Sequence, residues 1–248
     1  MTGRTRGRKL LYLASRSPRR RRLIRSLGRP YRIVSSDYRE TGARRGTIAL
    51  SARPRSKDPF RLRLQGLPPP RSLRSRGVGR FLHSHVVPGS VASIVMRHAA
   101  GKARLARLPR RARGLVIGAD TVVYRSGRLL GKPRTLSQAR RMLRWLSGRP
   151  HWVYTGLCVR DIETGRETRG YAKTRVTFRS LDLPAIEALM AAMRPLDKAG
   201  AYALQHDGEG RLISRIDGSR SNVIGLPLEL LRRRLRRLEG APRKARRC

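Results

Sequence analysis

The stretch Leu115 to Pro133, LVIGADTVVYRSGRLLGKP, constrains the fold of this chain more than any other. Its Val and Ile density ahead of Gly118 predicts a buried strand, and Asp120 is expected where that strand emerges from the core. In an α/β sheet, ligands gather at such strand ends. A turn then leads to Gly131-Lys132-Pro133, so a carboxylate is followed closely by an ammonium, a pairing suited to phosphate chemistry. Taken alone, the stretch equally allows Asp120 as a turn residue and Lys132 as a solvated charge. The flanking pattern has to decide.

Upstream, Leu10 to Ala14 reads as a short buried strand. The loop from Ser15 follows, and then the helical spacing Leu23, Ile24, Leu27. Ser17 is suited to the N-cap, Pro18 to the first helical position and Gly28 to the residue past the end. A helix N-terminus after a strand offers free N–H groups to an anion, and Arg19 adds a bidentate grip on phosphate oxygens. A capped surface helix with solvated arginines is the plainer reading. Tyr31 to Ser35 predicts a second strand that delivers Asp37 and Glu40. Glu40 is a candidate ligand for a hard cation such as Mg²⁺, which takes one or two carboxylates together with substrate phosphates, or else a surface ion-pair partner.

Downstream, Ser90 to Leu108 has helical spacing and carries Lys102, and Ser137 to Leu146 predicts an amphipathic helix stopped at Gly148. His151 to Ile162 and Tyr171 to Phe178 form a hairpin about Glu163-Thr164-Gly165. His151 is expected to be structural. Leu183 to Met193 is a helix capped by Asp182. From Asp197 to Gln205 the periodicity breaks, and the small residues there imply that something approaches the backbone closely. Ser219 to Pro227 leads into a last helix with a leucine stripe. These elements predict an α/β fold: a central mixed, twisted sheet flanked by helices, two lobes and an intervening cleft, with the hairpin and last helix forming much of the second lobe.

Charge enters where a partner is at issue. The formal net charge of +44 would ordinarily mark a polyanion-binding surface. Here arginine is spread through almost every segment, which reads as compositional bias. Only seven lysines, Lys9, Lys57, Lys102, Lys132, Lys173, Lys198 and Lys244, stand among the 59 basic residues, so each of them is a candidate for a site-level role that arginine cannot fill. Residues 1–9 form a basic extension, 10–240 one catalytic domain and 241–248 a basic tail. The Arg/Pro/Gly/Ser-rich segment 42–89 interrupts the domain as a disordered insertion, the region best suited to nonspecific polyanion contacts. His83 and His85 within it lack companion ligands for a metal. Two cysteines are too few for a disulfide framework, and no apolar run reaches membrane-spanning length.

LYLASRSPRR, VIGADTVV, GKP, LSGRPHWVYTG, DKAGAYALQ and SNVIGLPL occur in the order found in the Maf family of nucleoside triphosphate pyrophosphatases, which the chain resembles from about Leu10 to Glu40 and Ser90 to Leu238. Arg220 departs from the aromatic residue common there. The resemblance implies a Maf/ITPase-like fold in a cytoplasmic, homodimeric enzyme that uses Mg²⁺, or Mn²⁺ in its place, and splits a nucleotide between its α and β phosphates. It implies Asp120 as proton acceptor, Glu40 and Asp120 at the metal, and Ser15, Arg19, Lys102 and Lys132 at the phosphates, with room left by Gly118. Arg19, Thr121 and Gln205 match the branch similar to dTTP/UTP pyrophosphatases. A Gln amide both donates and accepts, as a pyrimidine edge requires. The alternative is a noncatalytic polyanion-binding protein on the same fold, which would have no reason to keep Asp120, Glu40 and Lys132 together.

Overall fold

Strand β1 (Leu11–Ala14) runs parallel to β2 (Tyr31–Val34) on one side and to the start of β3 (Leu115–Arg125) on the other. The computed structural model describes residues 8–39, 88–206 and 210–240. Glu40, both basic termini apart from residues 8 and 9, and the predicted insertion up to residue 87 therefore lie outside the described residues.

The described residues build a seven-stranded mixed sheet in the order β2-β1-β3-β5-β6-β7, with β4 (Arg128–Leu130) paired to the end of β3. Strands β5 (Pro150–Asp161), β6 (Glu167–Phe178) and β7 (Ile213–Asp217) continue it antiparallel. The β5–β6 hairpin turns at the expected Glu163-Thr164-Gly165, but β6 begins four residues earlier than the Tyr171 that alternation suggested.

Helix α1 (Pro18–Arg25) follows β1, and α2 (Pro88–Arg104) precedes β3. Helix α2 ends before the expected Leu108 because Ala106 bridges to Ser36 and the Arg107 N–H donates to the Ser35 carbonyl. Helix α3 (Leu136–Leu146) is capped by Thr135, and α4 (Leu183–Met193) by Asp182, whose carboxylate accepts from the Ala185 N–H at 2.9 Å. At α1, Ser17 is the N-cap but its side chain makes no capping bond. Instead its own N–H donates to Ser15 Oγ at 3.2 Å.

Three single-turn 3-10 segments, Pro195–Asp197, Ala199–Ala201 and Leu204–His206, replace helix in the DKAGAYALQ stretch. Gly200 there has φ +68°, and a Cβ on it would lie 2.9 Å from Val123 Cγ2, so β3 is what approaches this backbone. A short α5 (Arg220–Ile224), missed by periodicity, precedes α6 (Leu228–Gly240).

Of four apolar clusters among the described residues, the two largest form cores that share the sheet. One joins Val123 and Val153 to Leu143, Phe178, Ile186 and Tyr202. The other joins Leu11, Leu13, Ile117 and Leu157 to Ile24, Leu231 and Leu235. Each fully buried Leu, Ile or Phe contributes about 1.5–3 kcal/mol of transfer free energy. Helix α6 lays its leucine stripe over β5 and β6, the hairpin it was expected to accompany, in the same apolar cluster as Leu11, Leu13 and Ile24. Strands β3 and β5 run unbroken through both cores.

Candidate active site

Asp120 does not stand at a strand end. Strand β3 continues through the β-branched Thr121-Val122-Val123, and Asp120 pairs with Gly156 in mid-strand. The strand that ends here is its neighbour: β1 pairs with β3 only as far as Ile117, and β4 only from Val123 onward. Among the described residues, one edge of β3 therefore has no strand beside it from Gly118 to Val122. A cleft of about 380 Å³ opens at that gap, with a contiguous hollow of about 440 Å³ toward Ser15, Ser17 and Tyr38.

Residue parity divides the site. Gly118 and Asp120 face α2, whereas Ala119, Thr121 and Val123 face the other helices. A Cβ on Gly118 would meet the Ala99 carbonyl oxygen at 2.1 Å, and one on Gly156 the Val95 carbonyl oxygen at 2.1 Å. The expected room at Gly118 is thus filled by helix backbone rather than left to a ligand. These two glycines let α2 lie close over the strands, and α2 brings His98 and Lys102, one turn apart, onto Asp120.

Lys102 Nζ donates to Asp120 Oδ1 at 2.5 Å, and His98 Nδ1 lies 3.2 Å from Oδ2. Burial alone would push the Asp120 carboxyl upward. The Lys102 charge, the His98 hydrogen bond and the more distant Arg20 outweigh it and hold the pKa at about 2.

On the opposite face Arg20 donates from Nε to the Gly225 carbonyl at 2.7 Å, from Nη2 to Thr121 Oγ1 at 2.9 Å and from Nη1 to Ser15 Oγ at 3.4 Å. Thr121 Oγ1 also lies 3.0 Å from Thr155 Oγ1, which donates to the Asn222 carbonyl. Ser15 and Thr121 are thereby engaged as supports for Arg20. Arg19 crosses the cleft instead, placing Nη1 3.0 Å from Asp197 Oδ2 and Nη2 3.1 Å from the Asp197 carbonyl. Lys198 is buried and bonded to Asp197 Oδ1 and the Arg194 carbonyl.

Lys132 lines the cleft and, among the described residues, makes no hydrogen bond. Its pKa is pulled below the usual lysine value, first by burial of the ammonium and then by the neighbouring charges of Arg20, Lys102 and Arg19. Gln205 lines the same cleft, with its Oε1 buried and, among the described residues, without a hydrogen-bond partner. Arg220 is exposed at the start of α5 and is not part of this lining.

Of the residues nominated from sequence, Asp120, Arg19, Thr121, Lys102, Lys132 and Gln205 line the main cleft, and Ser15 lines the adjoining hollow. Sequence reasoning missed Arg20, His98 and Asp197 as cleft residues. For His98 the signal was available in its spacing of four from Lys102. Among the described residues no group of three His, Cys, Asp or Glu side chains could hold a metal, and no helix is long and apolar enough to cross a membrane.

The family profile described as Maf-like protein matches residues 81–238. The chain is 39% identical over 218 residues to a dTTP/UTP pyrophosphatase of Moorella thermoacetica, covering 88% of this chain and 89% of that protein. It is 35% identical to a dTTP/UTP pyrophosphatase of Pelotomaculum thermopropionicum, covering 90% and 93%. A nucleoside triphosphate pyrophosphatase of a Synechococcus strain is 33% identical, covering 92% and 93%.

Proposed function

The chain belongs to the Maf-like protein family, and on that premise we propose that it hydrolyses dTTP and UTP, together with modified pyrimidine nucleotides presenting the same edge, to the nucleoside monophosphate and pyrophosphate. One observation carries this reading: Arg19, Arg20, Lys102 and Lys132 converge on a cleft whose floor holds a single buried carboxylate, Asp120. Phosphoryl transfer needs mainly positioning and charge neutralisation, and such a ring supplies both. A noncatalytic polyanion site would have no use for a carboxylate kept ionised among those cations.

In the free site Asp120 is a poor proton acceptor, since Lys102 and His98 stabilise its charge. A bound triphosphate draws Lys102 toward phosphate oxygen. With Lys102 shared with the phosphates, Asp120 Oδ1 is open to the attacking water, which the carboxylate orients and whose proton it accepts. The water oxygen bonds to phosphorus as the bridging P–O bond breaks, and pyrophosphate leaves with the electron pair. Gln205, with a free buried oxygen, suits the N3–H of a pyrimidine.

A divalent cation fits as a partner of Asp120 and substrate oxygens: Asp120 supplies one hard oxygen donor, and Glu40 is the candidate second. When bound it would offset charge on the phosphates. The reading carries with it a cytoplasmic homodimer, checked by sedimentation. Pyrophosphate release from dTTP, UTP and 7-methyl-GTP with Mg²⁺ tests the activity. The expected result is cleavage of the first two and its loss in Asp120→Asn; faster cleavage of 7-methyl-GTP, or an undiminished Asp120→Asn, would overturn it.

A further inference from the structure

Asp120 is gripped from the protein side by a residue that phosphate chemistry does not call for. His98 is 2% exposed, and its Nδ1 lies 3.2 Å from Asp120 Oδ2 while Lys102 occupies Oδ1 at 2.5 Å. An ionised carboxylate only accepts hydrogen bonds, so the proton of the imidazole must sit on Nδ1. The two donors come from one helix at i and i+4, and together they fix the plane of the carboxylate.

They are not equivalent. Lys102 has a flexible four-carbon stem ending in a compact charge, and a triphosphate competes for it. His98 is rigid, and its surroundings hold it in place. The Tyr38 ring lies 5.9 Å from it, centroid to centroid, and is itself seated on Gly101, where a Cβ would come within 2.1 Å of Tyr38 Cε2.

We infer that His98 is a positioning residue: its Nδ1–H keeps Asp120 Oδ2 oriented when Lys102 turns to the substrate. The inference rests on the proposed role of Asp120 in pyrophosphate release. A carboxylate that lost both donors at once would be free to rotate at the moment it has to accept a proton, and small misplacements of a reacting group are costly in rate.

The test compares three variants in the full chain. His98→Leu keeps bulk and removes the donor, His98→Asn returns an N–H near the place of Nδ1, and His98→Gln sends its amide toward the place of Nε2. For dTTP the Leu variant should lose about tenfold to a hundredfold in kcat with KM within about twofold, because the bond acts on the reacting group and not on substrate binding. Asn should recover most of the loss and Gln little of it. A Leu variant with wild-type kcat, or Leu and Asn variants equally slow, overturns the inference.

The ¹⁵N-imidazole spectrum of the wild type gives a readout independent of turnover. It should show a proton on Nδ1, with a signal altered in Asp120→Asn; an Nδ1 that carries no proton overturns the inference. A wild type that releases no pyrophosphate yet keeps the Nδ1–H signal overturns the proposed activity and supports the contact.

Discussion

Arg20 reaches through the fold to Thr121, its Nη2 2.9 Å from the threonine Oγ1, and thereby ties helix α1 to the strand that carries Asp120. The hydroxyl acts as a brace for a guanidinium. Thr121→Val preserves the β-branched shape and removes the acceptor, while Arg20 keeps the Gly225 carbonyl. The expected outcome is a KM for dTTP raised about tenfold to a hundredfold, as for loss of one hydrogen bond to a charged group. Arg20→Lys, which loses the planar fork, should cost more. Steady-state pyrophosphate release reads both.

The glycines under α2 make a separate prediction. In Gly156→Ala the new methyl would stand 2.1 Å from the Val95 carbonyl oxygen, a backbone atom that cannot step aside on its own. Overpacking of this kind costs about 1–3 kcal/mol or more. Urea denaturation should show that loss, and activity should fall with it, because Lys102 and His98 ride on the displaced helix. Gly165→Ala, with open space around it but φ +69°, should destabilise only modestly and leave activity intact.

His151 should govern stability on the mildly acid side. Its Nε2 lies 2.8 Å from Tyr202 Oη, and burial, with the Arg125 charge adding to it, lowers its pKa from 6.5 to about 4. The unfolded chain therefore binds more protons between those values, and stability falls as pH drops from 6.5 toward 4. In His151→Gln that slope should flatten. Denaturation midpoints at pH 7 and pH 5 check it.

Lys132 should set part of the alkaline limb of kcat/KM. With its pKa below the usual lysine value, the ammonium that meets phosphate is lost at a lower pH than an exposed lysine would lose it. Lys132→Arg keeps the charge at every accessible pH and should move that limb upward. An unchanged profile would remove Lys132 from the phosphate site.

Much of this arrangement was legible in the residues. Cap chemistry marked α3 and α4, turn residues marked the β5–β6 hairpin, and lysine scarcity in an arginine-rich chain pointed to seven lysines, of which Lys102, Lys132 and Lys198 line the cleft whereas Lys9 pairs with Asp161 and Lys173 lies over Trp152. What stayed hidden depended on distance across the fold. The length of β1 decides where Asp120 meets solvent, and no local pattern in β3 reports it. Among the consecutive Arg19 to Arg22 only helix phase separates the arginine that crosses to Asp197 from the one that braces Thr121. The spacing of His98 from Lys102 puts the two on one face of α2, but Gly118 and Gly156, on other elements, decide that this face lies over Asp120. Glu40 falls outside the described residues, so its nomination rests on the resemblance.

The unpaired edge of β3 has a mechanical meaning. Since β3 and β5 pass through both cores without interruption, the backbone beside the gap is held at both of its ends. Asp120 is thereby fixed from within the sheet, while the cations that face it come from three other places: Arg19 and Arg20 from α1, Lys102 from α2 and Lys132 from the segment after β4.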